Sequence, residues 1–158
     1  KTDNDLLNKQ IRVISDIYLN YEPNIITFHI EAVKNKDEAI ELIKYIKSNN
    51  CKVGIAIKPN TNITKLYEIL DYVHMVTIMT VEPGKGGQTL ISKTVEKIKE
   101  LKKYIDDNNI DIDIEADGGI KIENVNMVKD AGANIIVSGS GIVNSENYTD
   151  AINKMKNE

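Results

Sequence analysis

Residues 75–88 read MVTIMTVEPGKGGQ. The first seven of these residues carry no charge and are rich in β-branched side chains, which predicts a buried strand over residues 75–81. The cluster GKGG at residues 84–87 then ends the strand in a loop whose backbone can approach a ligand closely. A buried strand that runs directly into a glycine loop is typical of a parallel sheet, where ligands gather at the carboxyl ends of the strands.

Strands and helices alternate outward from this stretch in both directions. Apolar runs predict further strands over residues 25–30, 52–57, 110–116 and 134–138. Helical periodicity predicts helices over residues 11–20, 37–49, 63–72, 92–107, 123–131 and 148–155. The polar residues 1–9 are expected to be disordered. Strands that are each followed by a helix predict parallel pairing with right-handed crossovers, within one α/β domain over residues 1–158.

Two architectures fit this alternation. A five-stranded doubly wound sheet would be complete in 158 residues, whereas a (β/α)8 barrel takes about 250 residues and would be present only in part. The loops favour the barrel, because glycine clusters follow three consecutive strands, at residues 84–87, 117–119 and 139–141. The last two clusters suit the phosphate site that barrels often build after their seventh and eighth strands.

The composition argues against several classes of partner. A net charge of −4 disfavours a nucleic acid, because phosphate backbones select basic surfaces. A small phosphorylated ligand needs only local N–H donors and stays compatible with that charge. The single cysteine excludes an intrachain disulfide and indicates a reducing compartment. No apolar run reaches membrane-spanning length and no signal peptide is visible, so we expect a cytoplasmic protein.

Four side chains are candidates for chemistry at the strand ends. Asp117 leaves an apolar strand at the ligand end, where its carboxylate is either a proton donor and acceptor, a metal ligand or a simple turn residue. His29 is a candidate metal ligand or hydrogen-bond partner of a sugar hydroxyl, and a satisfied core histidine is the alternative. Met79 either lines the pocket or fills the core. Lys85 either adds a charge near a phosphate or points into solvent.

Several of these segments together resemble one enzyme family. The motif at residues 78–88, the segment TFHIEA at 27–32, GIAIKP at 54–59, EADGGI at 115–120 and the turns at 131–140 are similar to ribulose-phosphate 3-epimerase in order and spacing. The Pro-Gly-x-Gly-Gly-Gln loop is specific to that family, while the other turns are shared more widely among phosphosugar barrels. The resemblance covers the chain from about residue 11 onward, and it implies that these strands are strands 4 to 8 of a TIM barrel.

The resemblance also implies an activity. Members of the family interconvert ribulose 5-phosphate and xylulose 5-phosphate in the pentose phosphate pathway, with two aspartates on opposite faces of an enediolate that a divalent metal stabilises. Asp117 matches one of these aspartates, which is also a metal ligand, and Met79 matches a methionine that lines the enediolate site. Residues at the glycine turns match positions that hold the substrate and its phosphate: Gly84, Lys85, Gly86, Gly87, Gly118, Gly119, Gly139 and Ser140. The metal expected is Zn or Fe, with Mn or Co as alternatives.

The chain also departs from the family pattern. The N-terminal serine, the H-x-D-x-M-D-G strand and the H-L-M strand have no counterpart, and the H-L-M position falls on the sequence Asp5-Leu6-Leu7. These segments supply the second aspartate and the other metal ligands, which we expect from strands 1 to 3 in the rest of the gene product. Lys85 replaces a phenylalanine. Two exposed sheet edges favour a homo-oligomer. A non-catalytic phosphosugar-binding module and a 3-epimerase of a hexulose 6-phosphate remain alternatives.

Overall fold

The protein forms a single arc of parallel strands. The structure, a computed structural model, describes residues 3–157, with the side chains of residues 10–156. Its strands are β1 (Ile25–His29), β2 (Lys52–Ile57), β3 (Met75–Met79), β4 (Asp113–Asp117) and β5 (Ile135–Val137). They pair in parallel in the order β1-β2-β3-β4-β5. A doubly wound sheet reverses its strand order at a switch point, and this sheet does not, so the barrel prediction is confirmed as a partial barrel.

Helices connect the strands: α1 (Asp3–Leu19), α2 (Lys36–Ser48), α3 (Lys93–Asp107), α4 (Val125–Asp130), α5 (Ser140–Val143) and α6 (Tyr148–Asn157). The helix predicted over residues 63–72 was wrong, because two 3₁₀ stretches, Ile63–Lys65 and Tyr67–Tyr72, take its place. The physical reason is the spacing of the buried side chains. Ile63, Leu66 and Ile69 recur at every third residue, which matches the three residues per turn of a 3₁₀ helix.

Several elements also differ in their bounds from the sequence prediction. α1 begins at Asp3, so the expected disorder of residues 1–9 was wrong from Asp3 onward, and residues 1 and 2 lie outside the described part of the chain. β4 begins at Asp113 because Ile110 still belongs to the end of α3, where its N–H donates to the Ile105 carbonyl over 3.0 Å. The short helix α5 was not predicted.

The two faces of the sheet differ in chemistry. The helix-covered face carries the apolar core, and its fully buried isoleucines and valines each contribute about 1.5–3 kcal/mol of transfer free energy; they include Ile55, Ile57, Val76 and Ile78. Alternate residues point to the opposite face, which is the inside of the barrel. There the register places Thr77 beside Glu115, whose Oε1 accepts from the Thr77 Oγ1 over 2.8 Å, and Met79 beside Asp117. The polar groups therefore lie inside the arc.

The helix α1 covers the sheet only in part. Ile11 packs against the core, but Ile14, Ile17 and Tyr18 on the same apolar face are more than half exposed. The predicted helix over residues 11–20 is confirmed to Leu19.

Candidate functional site

A cavity of about 430 Å³ opens at the carboxyl ends of β3, β4 and β5. Its lining contains the predicted site residues of all three strands: Met79, Gly84, Lys85, Gly86, Gly87, Asp117, Gly118, Gly119, Gly139 and Ser140. The sequence separates these groups by up to about sixty positions, and the parallel register brings them together at one edge. His29 lies on β1, outside this lining. Where the strands end, the fold thus collects every glycine cluster and the carboxyl groups of Glu82 and Asp117.

The glycine loop at residues 84–87 lines this cavity and contains backbone donors without a partner among the described residues. Within the described part of the chain, the N–H groups of Gly84, Gly86 and Gly87 make no hydrogen bond. Unengaged N–H groups in a glycine loop form a concave site for an anion, because partial positive charges face the same space and no Cβ intervenes. The loop has the donor chemistry that a phosphate group requires.

Two glycines of the cavity wall have no structural need to be glycine. A Cβ built on Gly86 or on Gly139 would meet nothing within 4 Å, and neither residue has a left-handed φ. Gly118 and Gly119 differ, because a Cβ on Gly118 would lie 2.3 Å from the Val81 Cγ2 and their φ values are +123° and +65°. The open space in front of Gly86 and Gly139 is accessible to a ligand group.

Asp117 ends β4 at the floor of the cavity, beside Met79 in the register. Partial burial raises the pKa of the Asp117 carboxyl above its ordinary value, and the nearby His29 opposes this rise. A carboxyl group whose pKa moves up towards neutrality exchanges protons with a substrate more readily in both directions. Asp117 is the acidic group of the floor that suits acid–base chemistry.

His29 and Glu31 form a pair at the end of β1. The His29 Nδ1 lies 3.4 Å from the Glu31 Oε2, and neither atom makes a hydrogen bond within the described residues. The other oxygen of Glu31 accepts from the Lys58 N–H over 2.9 Å. Burial pushes the pKa of Glu31 up, but the hydrogen bonds from Thr61 and Lys58 outweigh it and lower that pKa, so the carboxylate is ionised. His29 lies close enough to the site to act on the pKa of Asp117.

A second, larger groove lies along the free edge of β5. It measures about 600 Å³ and is mainly apolar, with Ile135, Ile152 and Met155 in its wall. No acidic side chain lines it, so its chemistry suits apolar contact and not proton transfer.

The chain also matches the model of a known protein family. The model of the ribulose-phosphate 3 epimerase family matches residues 2–143. The chain belongs to the ribulose-phosphate 3 epimerase family. Curated relatives agree: the chain is 38% identical over 135 residues to a ribulose-phosphate 3-epimerase of Escherichia coli strain K12, covering 85% of this chain and 59% of that protein. It is 36% identical over 137 residues to the Serratia marcescens ribulose-phosphate 3-epimerase, covering 87% of this chain and 63% of that one.

Coverage of these relatives is partial. The chain spans about three fifths of the length of the curated epimerases that it matches. Among solved structures, the chain is similar to 3-hexulose-6-phosphate synthase, with a TM-score of 0.67 at 16% identity over 91% of this chain and 66% of that one. KGPDC from Streptococcus mutans gives a TM-score of 0.57 at 15% identity, over 90% of this chain and 64% of that one. At such identities the two structures support the fold alone.

Epimerases of this family are generally metal-dependent, and the described residues do not form a complete metal centre. Over residues 10–156, no group of three or more His, Cys, Asp or Glu side chains could hold an ion. Asp117 offers one oxygen ligand, whereas a Zn²⁺ centre needs at least three protein ligands. The Asp5 side chain, at the position of the family's H-L-M histidine, lies outside the described residues.

Sequence reasoning missed two side chains that hold loops at this end of the sheet. Lys97 reaches from α3 to the loop after β2, where its Nζ donates to the carbonyls of Lys58, Pro59 and Thr61 over 2.6–2.9 Å. The Gln88 Nε2 donates to two carbonyls of the glycine loop. The glutamine was visible in the family motif without a role, and nothing in the sequence pairs Lys97 with a loop almost forty residues away.

Proposed function

We propose that the protein binds a sugar phosphate in the cavity at the ends of β3, β4 and β5. The observation that carries the proposal is the pair Gly86 and Gly139, which face open space although neither packing nor backbone conformation requires glycine there. The unengaged N–H groups of the glycine loop supply donors for the phosphate. Lys85 lines the same cavity and adds a positive charge that favours a dianionic ligand.

We further propose that the full protein is a ribulose-phosphate 3-epimerase, acting between D-ribulose 5-phosphate and D-xylulose 5-phosphate in the pentose phosphate pathway. Asp117 removes or returns the C3 proton on one face of the substrate, and the raised pKa of its carboxyl suits both directions. Met79 packs beside Asp117 and keeps water away from the reacting carbon. Epimerisation needs a second acid on the opposite face, and the described cavity lining contains no second aspartate.

Asp117 is also our candidate ligand for a divalent metal, for which the family resemblance favours Zn or Fe and leaves Mn or Co as alternatives. Bound metal would stabilise the negative charge of an enediolate as a Lewis acid. Because the described residues lack the remaining ligands, we assign no step of the reaction to the metal.

The direct test is exchange of solvent deuterium into C3 of ribulose 5-phosphate, followed by NMR in the presence of Zn²⁺ or Fe²⁺. We expect the wild-type protein to catalyse exchange and the Asp117→Asn variant to catalyse none. The affinity of the variant for the sugar phosphate should differ from that of the wild type by less than about tenfold, or 1.4 kcal/mol. A loss of binding together with exchange would make Asp117 a structural residue and contradict its role as an acid.

The incomplete metal site favours a second candidate, a phosphosugar-binding module without catalysis. Calorimetry with ribulose 5-phosphate separates the two candidates, since the module binds without exchange at C3. Parallel exchange assays with a hexulose 6-phosphate would show whether the substrate is a pentulose or a hexulose phosphate.

Two expectations about the molecule's setting stay predictions, namely a homo-oligomeric state and a cytoplasmic location. Of the helices within residues 3–157, none has the length and apolar character needed to cross a membrane. Light scattering on the purified protein would test the oligomeric state.

A further inference from the structure

Gln88 holds two carbonyl groups of the glycine loop from one side chain. Its Nε2 donates to the Glu82 carbonyl over 2.6 Å and to the Lys85 carbonyl over 2.8 Å. A primary amide has two N–H donors, so these two bonds use its whole donor capacity. The two carbonyls flank Gly84, and the side chain therefore fastens the start of the loop to its middle.

These two hydrogen bonds fix the orientation of the peptide dipoles in the loop. A phosphate is attracted by N–H groups and repelled by carbonyl oxygens, so an anion-binding loop must turn its carbonyls away from the ligand. The Glu82 and Lys85 carbonyls are occupied by the amide, while the N–H groups of Gly84, Gly86 and Gly87 have no partner within the described residues. The Gln88 amide thus keeps the loop's carbonyl acceptors separate from its N–H donors. Without it, the peptide planes of the loop would be free to rotate.

The main chain of Gln88 is itself held in place. Gly119, from the turn after β4, lies so close that a Cβ on it would be 2.7 Å from the Gln88 carbonyl oxygen and 2.5 Å from the Leu90 nitrogen. The Ile91 N–H then donates to the Thr80 carbonyl over 2.8 Å. The side chain therefore acts from a fixed point where the two glycine loops meet.

We propose that Gln88 is a positioning residue that presets the glycine loop for the phosphate of the substrate. The proposal rests on the proposed phosphate binding and deepens it, because it assigns the shape of the loop to one side chain. Preorganisation of this kind increases affinity, since the loop does not pay an ordering cost when the ligand binds. A residue with only a structural role would change the stability of the fold and not the affinity of the loop.

The test compares Gln88→Met with the wild-type protein by an amide NMR titration with inorganic phosphate. Methionine keeps the length of the side chain and its neutral charge but has no donor. Thr89→Val is the matched control, because Thr89 is exposed beside Gln88 and makes no hydrogen bond within the described part of the chain. Loss of two hydrogen bonds to the loop predicts an increase of Kd of about tenfold in Gln88→Met and none in Thr89→Val.

Two further readouts distinguish positioning from stability. We expect ¹⁵N relaxation in the free Gln88→Met protein to report increased motion at Gly84, Gly86 and Gly87, with a melting temperature within a few degrees of the wild type. If Gln88→Met does not fold, Gln88→Asn replaces it, because it keeps the amide but is one methylene too short to reach both carbonyls.

Each result decides between separate claims. A wild-type protein that binds no phosphate contradicts the proposed function itself. A wild-type protein that binds phosphate, together with a Gln88→Met protein that binds it equally well, overturns the inference about Gln88 alone. An equal loss of phosphate affinity in Gln88→Met and Thr89→Val also overturns it. So does a loss of affinity in Gln88→Met that comes with a large fall in its melting temperature.

Discussion

The turn after β4 and the glycine loop after β3 use the same residue for opposite reasons. In the turn, Gly118 and Gly119 have left-handed φ values and leave no room for a Cβ. In the loop, a Cβ on Gly84, Gly86 or Gly87 would meet no atom of the chain within 4 Å, although Gly84 and Gly87 also have left-handed φ values, of +103° and +71°. The comparison teaches that packing requires glycine in the turn, whereas at Gly86, which is both unstrained and open, we propose that the ligand requires it. Substitutions should therefore separate stability from binding.

Gly119→Ala should produce the largest loss of stability. Its Cβ would lie 2.5 Å from the Leu90 nitrogen, which is backbone and cannot move aside, and its φ of +65° disfavours alanine. Clash and strain together predict a loss of about 2–4 kcal/mol in the free energy of unfolding, measured by urea denaturation. A loss of unfolding free energy below about 0.5 kcal/mol would contradict the contrast between the turn and the loop, because the turn would then tolerate a side chain.

Lys97→Met tests a third loop at the same end of the sheet, one that is held by a side chain and not by glycine. Burial lowers the pKa of Lys97, and its Nζ serves three carbonyls at Lys58, Pro59 and Thr61. Leaving these acceptors without a donor predicts a loss of about 1–3 kcal/mol in unfolding free energy. Lys99→Met is the control: its exposed pair with Glu96 is worth less than about 1 kcal/mol, and an equal loss in both variants would contradict a special role for Lys97.

Gly139→Ala should leave stability unchanged and weaken ligand binding. A Cβ there enters open space and not the chain, so the free energy of unfolding should change by less than about 1 kcal/mol. The same methyl group would occupy room that we assign to the phosphate, and we expect Kd for ribulose 5-phosphate to rise about tenfold in calorimetry. Unchanged affinity would mean that Gly139 does not face the ligand.

The smallest effect concerns the charge of Asp117 in the metal-free protein. Burial raises the pKa of this carboxyl in the folded state, so the folded protein holds the proton more tightly than the unfolded chain does. Its contribution to stability is complete below the ordinary aspartate pKa and is lost as the pH rises through the raised value.

Asp117→Asn should therefore be more stable than the wild type at neutral pH, by less than about 1 kcal/mol after solvent screening, and should lose this advantage in acid. Urea unfolding of both proteins across that pH range measures the difference. An advantage that grows in acid would contradict the sign.

The parts of the molecule that depend on local sequence could be predicted. Apolar runs located all five strands, and glycine clusters located the cavity walls at Gly86 and Gly139, because strand and turn preferences act within a few residues. Periodicity alone did not separate the barrel from the doubly wound sheet, but the glycine loops favoured the barrel, and the pairing order confirmed it. Lys97 could not be predicted, because its hydrogen bonds join residues 36 to 39 positions apart. The 3₁₀ stretches were missed because the buried residues Ile63, Leu66 and Leu70 also fit the spacing of three and four residues that predicts an α-helix.

The central claim is that the glycine loops hold the phosphate of a sugar phosphate, and an NMR titration maps this directly. Ribulose 5-phosphate is added to the ¹⁵N-labelled protein, with unphosphorylated ribulose as the matched control. The account predicts saturable shifts at the amides of Gly84, Gly86, Gly87 and Gly139 with the phosphorylated sugar and much weaker shifts with ribulose. Shifts confined to the groove along β5, or shifts that are the same with both sugars, would contradict it.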